Sequence, residues 1–245
     1  MRYRNLAAIV VLFSFSSLGI KAEAGDASDE LSGPSAAIIS RYLQASQLQL
    51  VALNNASMEV NIDASVPRLK QHGRLRALRV ISSVGRVTYR VLGFQGDNTV
   101  KSQVIGRYLE AEQQGQNDQR LNVTPANYKF KFKGARASAD GSELYVFQLS
   151  PRKKRVGLFK GEMWLDARTY LPVLEKGRLV KNPSIFFKRV DFERDFAIQN
   201  GTAVPERMSS TIATRLVGKV ALSISYSNFA QSRPANATAV PVAYR

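Results

Sequence analysis

Residues 160–179 read KGEMWLDARTYLPVLEKGRL. Two alternating stretches flank Asp166, Thr169 and Pro172. Along an extended chain Glu162, Trp164 and Asp166 point one way and Met163 and Leu165 the other. Asp166 ends the first strand, where its carboxylate can accept backbone N–H bonds in the turn, and Thr169 can do likewise. Pro172 fixes the backbone where the next strand starts, a place that tolerates a missing donor. The stretch is a wide hairpin with a polar turn. Asp166 is structural on this reading, because no second acid or base accompanies it.

Working outward, the same period recurs. In SMEVNIDASV (57–66) Met58, Val60, Ile62, Ala64 and Val66 alternate with polar residues, the mark of a half-buried strand. Residues 73–94 read as two strands with a break at 82–85. YKFKFKG puts Tyr128, Phe130 and Phe132 on one face and Lys129, Lys131 and Lys133 on the other. Asp140-Gly141 and Asn200-Gly201 are hairpin signals. In 184–208 Phe186, Val190, Phe192, Phe196 and Ile198 line one face, interrupted by Lys188 and Arg194. The last two strands cover about 203–217 and 219–229.

Two segments have a helical period instead. After Pro34, which suits a first helical turn, Ile38, Ile39, Tyr42 and Leu43 form one apolar stripe. Val104, Ile105, Tyr108 and Leu109 form another, with Asp97, Asn98 and Thr99 as candidate N-caps and Gly115 as a stop. The order is helix, three strands, helix, seven strands. Hairpin-joined strands in this number are antiparallel. The expected fold is mainly β with α: a strongly curved antiparallel sheet of about ten strands, an incomplete β-barrel, covered by two helices. A closed sandwich is the alternative, but it leaves the helices without a task.

The ends read differently. Arg2 and Arg4 precede an apolar run to Ile20, and Ala22-Glu23-Ala24 offers an A-x-A site, so residues 1–24 read as a signal peptide cleaved after Ala24. Residues 25–33 read as a flexible linker, 34–229 as one domain and 230–245 as a disordered tail. The chain of 245 residues has no cysteine, which excludes disulfides, thiol catalysis and a lipid-modified cysteine. Its one histidine, His72, lies in the polar run KQHGRLR and reads as a solvated loop residue. A hydrolase would need a base, and only His72 or an uncoupled carboxylate is on offer. The formal charge is +16, and residues 1–24 hold Arg2, Arg4, Lys21 and Glu23 (net +2), leaving +14 after cleavage. In an exported protein that charge suits an anionic membrane surface or envelope polymer rather than nucleic acid.

The quoted hairpin, the later Asp191-Phe192 strand and the step QNGTAVPERM together resemble the periplasmic lipoprotein-carrier superfamily, the LolA- and LolB-type lipoprotein-sorting proteins and the RseB-like regulator domain. The matching positions are Trp164, Asp166, Thr169, Leu171, Pro172, Asn200, Gly201, Val204 and Pro205. The resemblance implies a periplasmic half-barrel whose concave face and helical lid hold acyl chains, without cofactor or chemistry. An arginine on an N-terminal strand that latches the lid is also implied, and Arg76, Arg79, Arg86 and Arg90 all remain open for it. On this reading a monomeric carrier or sensor takes a hydrophobic acyl ligand or lipoprotein. Phe130, Phe147, Phe159, Trp164, Phe186, Phe192 and Phe196 are candidate cavity walls, and Ile38, Tyr42, Ile105 and Tyr108 are candidate lid residues. The rival reading is a basic module that docks on an anionic membrane surface or partner protein through Arg152, Lys153, Lys154 and Arg155, which share one hairpin loop.

Overall fold

The computed structural model describes residues 33–115, 118–138 and 140–231. The expected signal peptide lies outside them, as do the linker before Gly33 and the tail after Gln231. Proline opens α1 (Pro34–Ala52). It is followed by β1 (Ala56–Val66), a 3-10 turn (Pro67–Leu69), β2 (Gln71–Ile81) and β3 (Val87–Gly96). A second helical stretch comprises α2 (Asn98–Val100), a π-helical segment (Lys101–Gly106) and α3 (Arg107–Gly115). Seven strands complete the chain: β4 (Tyr128–Ala137), β5 (Glu143–Pro151), β6 (Phe159–Asp166), β7 (Pro172–Leu179), β8 (Phe187–Gln199), β9 (Thr202–Thr214) and β10 (Lys219–Gln231). The expected order is observed, and β10 runs two residues into the segment read as tail.

All ten strands form one antiparallel sheet in the order β3-β2-β1-β10-β9-β8-β7-β6-β5-β4. Sequence neighbours pair except at one place, where β1 pairs with β10 and joins the two halves of the chain. β3 and β4 are opposite edges, so the sheet is open. Strong curvature was the wrong expectation: the sheet is not strongly curled. That expectation assumed that the whole inner face must be covered. In fact the margins are left to solvent: only Val87 of β3 is buried, and β4 is largely exposed beyond Phe130.

The core sits between the inner face and the helices. In β1 burial alternates without a fault, Ala56 to Val66. Its inward residues join Leu75 and Ala77 of β2, Leu222 and Ile224 of β10, Phe147 and Leu149 of β5, and Met163 and Leu165 of β6. Ile39 and Tyr42 of α1 and Val100 and Ile105 of the second helical stretch close it from above. Each such side chain contributes on the order of 1.5–3 kcal/mol on full burial.

The quoted hairpin behaves as its residues dictate. Asp166 is buried, and its Oδ1 accepts the N–H groups of Arg168 (3.2 Å) and Thr169 (2.7 Å) and the Thr169 hydroxyl (2.8 Å). Tyr170 completes the turn at φ +59°. The Asn200-Gly201 turn has both residues at positive φ between paired Gln199 and Thr202, the geometry that two-residue hairpins favour. His72 is a correction: it lies in β2, exposed on the outer face, rather than in a loop.

Candidate functional site

Four of the seven candidate wall residues come together on the inner face. Phe130 and Phe147 meet edge to face with ring centroids 6.1 Å apart, and Phe159 meets Phe192 at 5.0 Å. Gly161 and Gly177 are directly paired on β6 and β7, and a Cβ on Gly177 would strike the Phe159 ring at 2.9 Å. The glycine is what lets that ring lie across the strand pair. Burial pushes the Tyr128 hydroxyl up to about 12, although it also accepts the Phe159 N–H at 3.2 Å.

The other three do not join this group. Trp164 lies on the outer face, as its alternation with Met163 and Leu165 requires; the Lys176 ammonium sits 5.2 Å and the Arg136 guanidinium 5.6 Å from its ring centroid, and its indole N–H donates to Glu162 at 3.0 Å. Phe186 is in the turn before β8. Phe196 follows a register shift between Asp195 and Phe196 and is half-buried. The extra residue at that shift is Glu206 on β9, so the alternation of β8 through Phe192 and Arg194 runs on to Phe196, which is nevertheless not part of the buried core cluster.

All four lid candidates pack on this core. Tyr42 faces the Phe130 ring at 6.4 Å and donates its hydroxyl to the Val123 carbonyl at 3.0 Å. Ile105 is fully buried, Ile38 packs at the margin, and the Tyr108 hydroxyl lies 3.4 Å from the Met208 sulfur.

A polar knot fastens the second helical stretch to the sheet. Arg79 on β2 places Nη2 3.3 Å from Glu112 Oε1 on α3 and Nε 3.3 Å from the hydroxyl of Tyr89, its register partner on β3. Tyr89 in turn donates to Glu112 Oε2. The Arg79 and Glu112 side chains are only 14% and 22% exposed. Burial and the neighbouring Glu112 carboxylate both hold the Tyr89 hydroxyl well above its ordinary value. Among the described residues, Arg79 is the one of the four arginines left open by the sequence whose side chain bonds a helix, while Arg76 pairs with Glu59 on β1. Glu112 went unnoticed, yet it follows Tyr108 by four residues on the same stripe. A charge at an apolar stripe position was the available signal.

A second inward pair is Glu175 on β7 and Arg194 on β8, register partners 3.5 Å apart. Burial raises the Glu175 carboxyl above the usual carboxylate range, and Arg194 only partly offsets this. The Arg194 guanidinium lies 5.0 Å from the centroid of the Phe192 ring.

The basic β5–β6 loop is divided. Arg152 donates to the Pro125 carbonyl at 2.7 Å, and Arg155 reaches the Arg120 carbonyl at 3.5 Å. Lys153 and Lys154 are exposed. A groove of about 550 Å³ lies on the outer face, bordered by Asp63, Ser65, His72, Arg74, Ser209 and Ser223. Among the described residues no group of three or more His, Cys, Asp or Glu is placed to hold a metal.

No family model matches the sequence, and no curated protein matches it either. Solved structures do match in outline. A DUF1329 family protein from Desulfovibrio piger is 12% identical over 82% of this chain and 94% of its own, with a TM-score of 0.43. The LolA superfamily protein NE2245 from Nitrosomonas europaea is 12% identical over 80% of this chain and 94% of its own, at 0.41. The Pseudomonas aeruginosa MucA/MucB complex is 13% identical over 77% of this chain and 93% of that one, at 0.28. Likenesses this distant concern the fold alone. In fold the chain is similar to proteins of the LolA superfamily, at low identity and over about four-fifths of its length.

Proposed function

We propose that this chain is an exported, periplasmic carrier or sensor that holds a hydrophobic acyl-chain ligand, free or on a lipoprotein, between its second helical stretch and the inner face of the sheet, and that it catalyses no reaction. The observation that carries this reading is the Arg79–Tyr89–Glu112 knot. A charged fastening in an apolar seam holds firmly while water is excluded and rehydrates readily once the helix lifts. The π-helical segment beneath it supplies a weak point, since π turns are rare and strained against the α-helical ladder.

With the helices down, the space is filled by side chains such as Phe147, Leu149 and Ile224. A ligand therefore enters by displacing the helix. Exposing Val100 and Ile105 costs on the order of 3–6 kcal/mol. A twelve-carbon chain contributes about 9 kcal/mol gross on burial. The two terms are of the same order, so the exchange needs no standing cavity.

The test is mass spectrometry of lipid extracted from the protein purified from a bacterial envelope, paired with titration of the delipidated protein with a fluorescent fatty acid. A near-stoichiometric acyl species, or saturable probe binding that Arg79→Ala alters, is the expected result. Purified protein that carries no acyl species and does not bind the probe would overturn the reading.

A further inference from the structure

We infer that one end of the sheet is a docking surface for an anionic phospholipid bilayer. The inference is independent of the ligand reading. Four hairpin connections lie at that end: residues 67–70, 152–158, 180–186 and 215–218. None contains an aspartate or glutamate, and together they hold Arg68, Lys70, Arg152, Lys153, Lys154, Arg155, Lys181 and Arg215. The hairpin turns at the opposite end, residues 82–86, 138–142, 167–171 and 200–201, hold Arg86, Arg168 and Asp140. The asymmetry is built into the fold, because alternate turns of an antiparallel sheet collect at opposite ends.

Three of these connections also present apolar tips. Ile185 is 80% exposed, Leu216 64% and Leu69 46%. They are stitched into one surface: Arg68 Nη1 donates to the Leu216 carbonyl at 3.4 Å, Arg215 Nε donates to the Ile185 carbonyl at 2.9 Å, and the Arg215 N–H bonds the Phe186 carbonyl at 2.9 Å. The cations involved bond only to carbonyls. Among the described residues Arg68, Lys70, Lys181 and Arg215 have no carboxylate partner, so their charge faces outward uncompensated. The other segments that reach this end carry Asp97, which accepts the His72 N–H, and Asp118, whose charge is paired with Arg120, so the cations outnumber the acids there.

Charge alone would suit any polyanion. The bilayer is favoured because leucine and isoleucine tips among cations gain nothing from a hydrated polymer, whereas a bilayer takes the apolar tips below the headgroups and the cations at their level. No described helix is long and apolar enough to cross a membrane, so the attachment is peripheral.

The test is co-sedimentation of the purified protein with phosphatidylglycerol/phosphatidylcholine vesicles, and with phosphatidylcholine alone, across a salt series. Binding to the anionic vesicles that fades as salt rises is expected. Lys70→Ser with Lys181→Ser should weaken it about thirtyfold at low salt, at about 1 kcal/mol per cation. Leu69→Ser, Ile185→Ser and Leu216→Ser together should weaken it at least tenfold while leaving the melting temperature and acyl-ligand content unchanged. Leu216→Trp, made in a Trp164→Phe background because Trp164 is the only tryptophan, should blue-shift on binding and be quenched by brominated lipid. Unchanged binding by the apolar triple variant, no shift of the introduced tryptophan, equal sedimentation with phosphatidylcholine alone, or sedimentation without vesicles would each overturn the proposal. The first pattern would indicate a polyanion site and the last a contact between copies of this chain.

Discussion

Arg79–Glu112 and Arg194–Glu175 are both arginine–glutamate pairs on the inner face, and they are held differently. The first spans two elements, β2 and α3, that share no backbone ladder, and both of its side chains are mostly shielded. The second spans β7 and β8, which are already joined by their own hydrogen bonds, and the Arg194 side chain is 45% exposed. The contrast separates two uses of the same chemistry. Where a pair is the fastening between elements, its loss frees a segment. Where it decorates an existing ladder, its loss leaves the strands joined, and the cost is confined to Glu175, only 11% exposed, which loses the cation that offsets its burial.

The largest effect expected is that of Arg79→Ala. It strands the Glu112 carboxylate in a largely dry seam, which costs about 3 kcal/mol. Chemical denaturation should report that loss, and amide exchange should quicken in residues 98–115 ahead of β5 and β6. Arg194→Ala should cost less, on the order of 1–2 kcal/mol, because it leaves the buried Glu175 without its cation but frees no element. Equal losses for the two arginines would break the comparison.

A smaller loss sharpens it from another side. Asp166 is a buried acid held by neutral backbone and hydroxyl donors, without a guanidinium bonded to it. Asp166→Ala should destabilise by on the order of 1–2 kcal/mol and leave ligand and vesicle binding intact. A loss of either binding with unchanged melting would contradict its structural role.

The smallest effect concerns pH. The Glu175 carboxyl is raised by burial, so the folded state holds a proton that the unfolded chain has released. Between the ordinary carboxylate value and the raised one the native state binds more protons, and stability falls as pH rises through that window. Glu175→Gln should remove this slope. Denaturation midpoints measured from pH 4 upward decide it: a slope that survives the substitution belongs to another group.

The hairpins were legible because their determinants are local. The alternation of Met58 to Val66, the Asp166–Thr169 turn and the Asn200-Gly201 step each involve residues a few positions apart, and all appear as read. The β8 pattern carries Phe196 along the face of Phe192 but not into the buried core, because packing there depends on neighbouring elements that a single strand's pattern does not contain. Trp164 was assigned to the cavity although its own alternation with Met163 and Leu165 set it on the other face. Arg79 could not be chosen among four arginines, since its partner lies 33 residues away on a helix whose docking the sequence leaves open.

By itself the sequence determined the number, order and type of elements, through periods of two and 3.6 residues and through turn chemistry. Those forces act within a few residues and survive in any arrangement of the elements. The tertiary structure alone decided that β1 pairs with β10, that the sheet stays open without strong curl, and that Arg79 meets Glu112. It also gathered Leu69, Ile185 and Leu216 from three separate turns onto one end. Each of these joins residues far apart along the chain, where the cost of closing a long loop is repaid only by the assembled core.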